Sequence, residues 1–298
     1  MRVLVTGASG LLGNALVRQL AASGTEVAAL SFRTPVTLPA GVFPLTHNLE
    51  EPGLEALVAA IQPEAIVNAA ALSEPGYCER EPMQSRAMNT DLPGQLAELC
   101  QQNNARLIHF STDMVFDGQE GDYDEESITN PKSTYGQHKL EGENRCLDAC
   151  SRAIVIRLPL LMGNSPTGQR SIHEALFRRW SRDKSTPLFE DEIRQPVSVS
   201  NVSLLVENIL RDHDDLAGRF HWAGAESLNR LEMGKRIAAH FGIDESLLEA
   251  TRAQDLPNFK DRPLKLTMNC TKLAVSVDVP QPSFDEQLAT LKQPEAAE

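Results

Sequence analysis

The chain opens Arg2-Val3-Leu4-Val5-Thr6-Gly7-Ala8-Ser9-Gly10-Leu11-Leu12-Gly13. Its first residues form a short apolar, β-branched run, which reads as a buried strand. Gly7 follows at once, and a helical pattern then begins, with Leu11, Leu12, Ala15, Leu16 and Leu20 on one apolar side. Strand, glycine turn and helix opening form the context that a dinucleotide site requires. In that context Gly7 permits the tight turn, Gly10 lets a pyrophosphate approach the backbone, and Gly13 allows close packing of helix on strand. The helix N-terminus, with Ser9, Leu11 and Leu12 on the same turn, offers free N–H groups and a favourable dipole to phosphates.

Working outward, strand-like and helical runs alternate. Ala65-Ile-Val-Asn-Ala-Ala70, Arg106-Leu-Ile-His-Phe110 and Ala153-Ile-Val-Ile-Arg157 read as strands; Met83 to Asn103 and Ser133 to Cys150 read as helices. The alternation predicts an α/β protein, a Rossmann-type doubly wound parallel sheet. Ligands then sit at the C-terminal ends of the strands, where Gly7, Ala69 to Ala71 and Ser111 to Asp113 all fall. After Pro159 the pattern loosens, and residues 160–195 are rich in polar and charged positions. Asn201 to Leu210 reads as a helix, Gly218 to Trp222 as a strand returning to the main sheet, and Leu228 to Phe241 as a helix of a small C-terminal lobe. The expected division is a cofactor-binding domain over 1–160, rejoined by 197–222, and a substrate-binding lobe from 161–196 and 223–298. The tail from Gln293 is expected to fray.

At 298 residues with 41% hydrophobic content, the chain can bury a large core. A net charge of −13 argues against broad binding of nucleic acid or anionic membrane. No run is apolar and long enough to span a bilayer, and the first strand begins where a leader would stand, so a cytoplasmic protein is expected. Five scattered cysteines, Cys78, Cys100, Cys146, Cys150 and Cys270, fit a reduced compartment. Cys146 and Cys150, one turn apart, read as packed thiols and not as ligands, so no metal is expected. Acidic residues between Glu120 and Glu126 read as a solvated loop. A homodimer is only the generic prior.

The second strand, Glu26-Val-Ala-Ala-Leu-Ser31, continues into Phe32 and Arg33. A site for NAD usually places a carboxylate here for the ribose 2′-OH, and none stands at Leu30, Ser31, Phe32 or Arg33. Arg33 can instead meet a 2′-phosphate, which favours NADP(H) and leaves NAD(H) open. The catalytic pattern lies further on. Tyr135 and Lys139 are four apart, on one helix face. An ammonium beside a phenol favours the phenolate, so the pair is expected to give an easily lost Tyr135 proton. Ahead of them stand Ser111, Thr112 and Asp113, whose hydroxyls can bond a substrate carbonyl and stabilise developing charge.

These segments together resemble an extended short-chain dehydrogenase/reductase, and more closely the dTDP-4-dehydrorhamnose reductase family. The likeness rests on Val3 to Gly13 with its G-x-x-G-x-x-G spacing, Asn68-Ala-Ala-Ala71, Ser111-Thr-Asp-Met-Val-Phe-Asp-Gly118 and Tyr135-Gly-Gln-His-Lys139. Gly218-Arg-Phe-His-Trp-Ala-Gly224 and Arg262-Pro263 add to it. The resemblance implies that Tyr135 donates a proton to the carbonyl oxygen as hydride arrives, that Lys139 lowers the Tyr135 pKa and holds the nicotinamide ribose, and that Thr112 polarises the carbonyl. It places the cofactor along Gly7, Ser9 to Leu12, Ser31 to Arg33, Asn48, Ala69 to Ala71, Asn89, Ser111, Tyr135 and Lys139. Asp113, Met114 and Val115 would lie near the sugar, and Arg194 in Arg194-Gln-Pro196 could bind a substrate pyrophosphate.

The chain departs from the family pattern at Met114, often Tyr; at Met162, often aromatic; at Asn48, often Asp; and in the loop Leu72-Ser-Glu-Pro-Gly-Tyr-Cys78. A dehydratase usually carries Glu at the position of Met114, which argues against that activity. The expected function is an NADP(H)-dependent reductase of a 4-keto sugar nucleotide. A sugar-nucleotide epimerase or another extended short-chain oxidoreductase is the alternative enzyme. A non-catalytic reading also stands, because the chain is similar to the regulatory β subunit of methionine adenosyltransferase, notably at Phe32-Arg33 and Phe220-His-Trp222.

Overall fold

The computed structural model describes residues 1–34, 36–182, 184–259 and 262–293. The expected fraying of the tail falls mostly on residues 294–298, outside that range. In chain order the first half runs β1 (Arg2–Thr6), α1 (Leu11–Ala22), β2 (Glu26–Ser31), β3 (Phe43–Thr46), α2 (Leu54–Ile61) and β4 (Ala65–Asn68). Then come α3 (Pro75–Arg80), α4 (Pro82–Arg86), α5 (Leu92–Gln102), β5 (Arg106–Thr112), α6 (Thr134–Ala149) and β6 (Ala153–Leu158). The second half sets α7 (Ile172–Trp180), α8 (Val199–Asp212) and α9 (Arg230–Phe241) among short strands: β7 (Leu161–Met162), β8 (Thr186–Phe189), β9 (Ile193–Arg194), β10 (Val197–Ser198), β11 (Gly218–His221), β12 (Leu228–Asn229), β13 (Leu248–Thr251) and β14 (Lys265–Leu266).

Seven strands form one sheet in the order β11-β6-β5-β4-β1-β2-β3, with every pairing parallel. The order reverses between β1 and β4, the mark of a doubly wound sheet. Helices cover both faces, so central strands read as continuous apolar runs. Alternate residues serve opposite layers. Val3 and Val5 join Leu16, Leu20, Val202 and Val206 on the face covered by α1 and α8. Leu4 joins Leu92, Leu96, Cys100 and Cys146 on the face covered by α5 and α6. Residues beyond Leu158 add an apolar cluster of their own, with Met162, Phe177, Trp180, Met233, Ile237 and Phe284. All five cysteines are free and buried. Among the described residues, no helix is long and apolar enough to cross a membrane.

Three local findings differ from the sequence reading. Strand β3 goes unread because it is an edge with mostly exposed residues and a proline, Pro44. The helix expected from Met83 to Asn103 is interrupted, since Pro93 has no N–H to give and crowds the preceding turn. The chain widens there into a π-helical stretch, Ala87–Asp91. The stretch after residue 160 holds a full helix, α7, started by a capping box of Ser171 and Glu174.

Candidate active site

The turn after β1 lies at the point where the strand order reverses. Gly7 has φ +66°, and a Cβ there would stand 2.7 Å from the Ala69 carbonyl and the Ala70 nitrogen. A Cβ on Gly13 would stand 2.1 Å from the Gly7 oxygen. Gly13 therefore seats α1 on the turn itself, not on the strand. Gly10 is the N-cap of α1, and its N–H donates to the Gly7 oxygen at 2.8 Å. In front of Gly10 the space is open, since a Cβ would meet only that oxygen, at 3.1 Å. Ser9 and Leu11 are half-buried and Leu12 is buried. Ala69 and Ala71 are half-buried and Ala70 buried on the facing strand end.

At the end of β2, Ser31 is half-buried while Phe32 and Arg33 are exposed. The Arg33 guanidinium lies 5.1 Å from the Phe32 ring centroid. Asn48 closes its own turn: its amide donates to Glu51 at 2.9 Å and accepts from the Glu50 N–H at 3.2 Å.

The second half of the site is built where β5 meets α6. After Thr112 the chain makes a 3₁₀ turn, Asp113–Val115, capped by Thr112 Oγ1, which accepts from the Met114 N–H at 3.2 Å. The first turn of α6 presses onto it. A Cβ on Gly136 would stand 2.3 Å from the Met114 oxygen, so only glycine lets the two turns meet so closely. Ser133 caps α6 by accepting from the Gly136 N–H at 3.1 Å. Glu79 of α3 accepts from the Thr134 N–H at 2.7 Å and from its hydroxyl at 2.6 Å. These contacts set Tyr135 against the turn that carries Thr112, whose hydroxyl donates to Asp113 at 3.1 Å. Burial holds the Tyr135 proton on, Asp113 adds to that, and Thr112 opposes both.

Lys139 is 2% exposed. Its Nζ donates to the Phe110 carbonyl at 2.6 Å and lies 3.2 Å from His109 Nε2. Burial brings its pKa down to about 8, against the pull of Cys146 and Glu143. The expected effect of Lys139 on Tyr135 is therefore corrected. The phenol is raised, not lowered, because burial dominates and the ammonium turns to Phe110 and His109.

Among the described residues, eight buried side-chain polar atoms have no hydrogen-bond partner, and two of them, Ser111 Oγ and Asp113 Oδ2, stand at the end of β5. Buried polar groups are nearly always paired, so these two are candidate ligand contacts. Burial raises the Asp113 carboxyl to about 6, with Arg194 holding it down. Met114 is half-buried.

Other expected site residues take different parts. Val115 has no exposed surface and packs with Phe116, Tyr123, Leu266 and Met268, so its side chain does not face a sugar. Asn89, within the π-helical stretch, spends its amide on both backbone groups of Leu72, at 3.2 and 2.9 Å. It shapes the loop after β4, because its polar atoms are already used. Arg194 commits its terminal nitrogens to the carbonyls of Ile193, Leu264 and Pro263 at 2.8 to 3.1 Å. With Glu192 also 3.4 Å from Nη2, no terminal N–H is left for a pyrophosphate. Glu125, read as solvated, is buried and accepts from the His221 N–H at 2.9 Å. His221 packs between Arg157 and Tyr123, and Trp222 donates to Asn201 at 2.8 Å.

The sequence reading passed over a charge cluster close to Asp113. Glu192 has no exposed surface and meets Arg230 at 2.7 Å, Arg194 at 3.4 Å and Arg262. Burial alone would raise Glu192, but the guanidinium groups of Arg230, Arg194 and Arg262 bring it down to about 2. It also passed over a row of polar residues near the ends of otherwise apolar strands: Thr6, Asn68, His109 and Arg157. A polar residue closing each of several buried strands is a signal that was available.

The whole chain has relatives of known name. A methionine adenosyltransferase 2 subunit beta of Bos taurus is 30% identical over 276 residues, which cover 91% of this chain and 81% of that protein. A probable low-salt glycan biosynthesis reductase of Haloferax volcanii is 29% identical, over 98% of this chain and 97% of that protein. The solved dTDP-4-dehydrorhamnose reductase of Bacillus anthracis, in complex with NADP, superposes with a TM-score of 0.82 at 21% identity, over 97% of each chain. With residues 1–296 matching the model of the RmlD substrate binding domain, the chain belongs to that family.

Proposed function

We propose that the protein is an oxidoreductase that uses a nicotinamide dinucleotide, NADP(H) in preference to NAD(H), to reduce the keto group of a sugar nucleotide, a 4-keto sugar of the dehydrorhamnose type being the first candidate. The observation that carries the reading is that the first turn of α6, which bears Tyr135, presses onto the turn after Thr112, beside the idle Ser111 Oγ and Asp113 Oδ2 at the end of β5. The family match, the reductase named in Haloferax and the NADP held by the Bacillus enzyme support it.

The residues fit such a cofactor. The open space before Gly10 and the first N–H groups of α1 suit a pyrophosphate. Arg33, exposed at the end of β2, suits a 2′-phosphate. A bound nicotinamide would supply the hydride. Thr112 would bond the substrate carbonyl oxygen and draw charge toward it. Tyr135, whose raised pKa keeps it protonated at neutral pH, would give that oxygen its proton. Lys139, as an ammonium, would hold the nicotinamide ribose. Positioned proton transfer of this kind contributes ~10²–10⁴-fold.

The deciding experiment follows NADPH oxidation with enzymatically generated dTDP-4-keto-6-deoxy-L-sugar, for wild type and Tyr135→Phe. Turnover in the wild type that collapses in the variant supports the reductase. Tight NADPH binding without turnover moves the substrate elsewhere. Turnover without net NADPH loss would point to an epimerase. The second reading, a binding subunit, is favoured by the methionine adenosyltransferase relative. Co-elution with a methionine adenosyltransferase catalytic subunit, and no turnover, would establish it.

A further inference from the structure

We infer that His109 is a positioning residue for Lys139, and that a buried row running Thr6–Asn68–His109 lets the central sheet hold the lysine in its ammonium form. The inference rests on the roles proposed for Tyr135 and Lys139. The row follows from strand register. Thr6 pairs with Asn68, and Asn68 with His109, on neighbouring parallel strands. All three side chains therefore point to the layer that α6 covers.

The contacts are continuous. Thr6 Oγ1 lies 2.6 Å from Asn68 Oδ1, Asn68 Nδ2 lies 3.0 Å from His109 Nδ1, and His109 Nε2 lies 3.2 Å from Lys139 Nζ. None of the four residues is more than 2% exposed. Burial, and then the neighbouring lysine, hold the imidazole well below its ordinary range, so it is neutral. A neutral imidazole has one donor and one acceptor nitrogen, whereas an ammonium only donates. With Lys139 charged, Nε2 accepts and the ring proton sits on Nδ1. That form needs the Asn68 amide to turn over from its orientation in this structure, where Oδ1 faces Thr6 and accepts the Ala70 N–H at 3.3 Å and Nδ2 faces Nδ1. Once turned, it presents its carbonyl oxygen to Nδ1 and its NH₂ to Thr6, and the Ala70 N–H keeps Thr6 Oγ1 as acceptor at 3.3 Å. With Lys139 neutral, the pattern inverts: Nε2–H donates to the amine, and the Asn68 NH₂ donates to Nδ1. Each charge state of the lysine thus selects one tautomer and one orientation of the amide.

Other titratable groups around Lys139 leave this task to His109. On its own helix stand Tyr135, Glu143 and Cys146. Glu143 is already paired with Arg157 of β6 at 2.8 Å and with Arg219 of β11 at 2.9 Å. Asp113, on the turn after β5, acts on Tyr135. Among described side chains, His109 is the hydrogen-bond acceptor that touches Nζ.

The test measures NADP⁺ affinity and NADPH-linked turnover across a pH series in wild type, His109→Leu, His109→Asn and His109→Gln. Wild type should lose affinity and turnover on an alkaline limb as Lys139 gives up its proton. His109→Leu offers no acceptor, and His109→Asn reaches Asn68 but not Lys139. Both should move that limb down by about one pH unit. His109→Gln, whose amide can reach the Nε2 position, should restore the wild-type limb, and it carries the comparison with His109→Asn if the leucine variant does not fold. Coincident limbs in all four proteins, or a flat wild-type profile with nucleotide bound, would overturn the inference and leave the reductase standing. A wild type that binds no nicotinamide nucleotide would overturn both.

Discussion

Lys139 and Glu192 are both buried charges, yet they are held in opposite ways. Lys139 meets a backbone carbonyl and a neutral imidazole. Glu192 meets three guanidinium groups. The lysine falls from 10.5 to about 8, within reach of physiological pH, while the glutamate falls from 4.5 to about 2, far from it. A buried charge stays titratable when its partners are neutral, and is locked when they carry the opposite charge. The proposed reaction uses the titratable end of the sheet, and the Glu192 cluster holds its segments together.

The contrast can be broken by exchanging the charges for uncharged groups. Glu192→Gln strands the buried Arg194 and the half-buried Arg230 and releases the exposed Arg262, and removing one partner from such a cluster costs about 3–5 kcal/mol. Denaturant unfolding should show that loss. Lys139→Met should act in the other direction. Below pH 8 the folded protein bears the full cost of keeping a proton that burial disfavours, which for this shift amounts to about 3 kcal/mol. The variant should therefore be more stable by up to that amount, less what Phe110 loses as an acceptor, while reduction is lost. Equal or lower stability would show that the lysine is not strained by its surroundings.

The pH dependence sharpens the same point. Between about pH 8 and 10.5 the unfolded chain binds more protons at Lys139 than the folded one, so wild-type stability should rise there, and the rise should vanish in Lys139→Met. The Glu192 contribution is full above its ordinary pKa of 4.5 and should fade as pH drops toward 2. The smallest effect belongs to an exposed charge. Arg33→Ser should cost only about tenfold in preference for NADPH over NADH, because solvent screens the contact. Paired KM measurements would check it.

Much of this was legible in the sequence, for physical reasons. Val3 to Gly13 could hardly be misread, because a turn at positive φ wedged against Ala69 tolerates only glycine. The Tyr135 and Lys139 pair was legible as helix spacing, but its electrostatics was not: the aim of Nζ depends on residues 29 and 30 positions away. Val115, Asn89 and Arg194 carry family positions whose atoms the fold spends on packing, a loop clamp and backbone carbonyls. Glu192 was invisible because its arginines come from β9, the start of α9 and the segment before β14, which only the tertiary fold brings together.

The bond from Glu79 to the start of α6 has a consequence for how such a protein can change. Residues 72–78, one of the stretches that depart from the family pattern, run into and through the short helix α3, whose Glu79 holds Thr134. Variation there is not free, because each new loop must return a carboxylate to the same two donors or let the helix that carries Tyr135 drift. An insertion in this stretch would therefore displace the start of α6, whereas a replacement at fixed length can leave it in place.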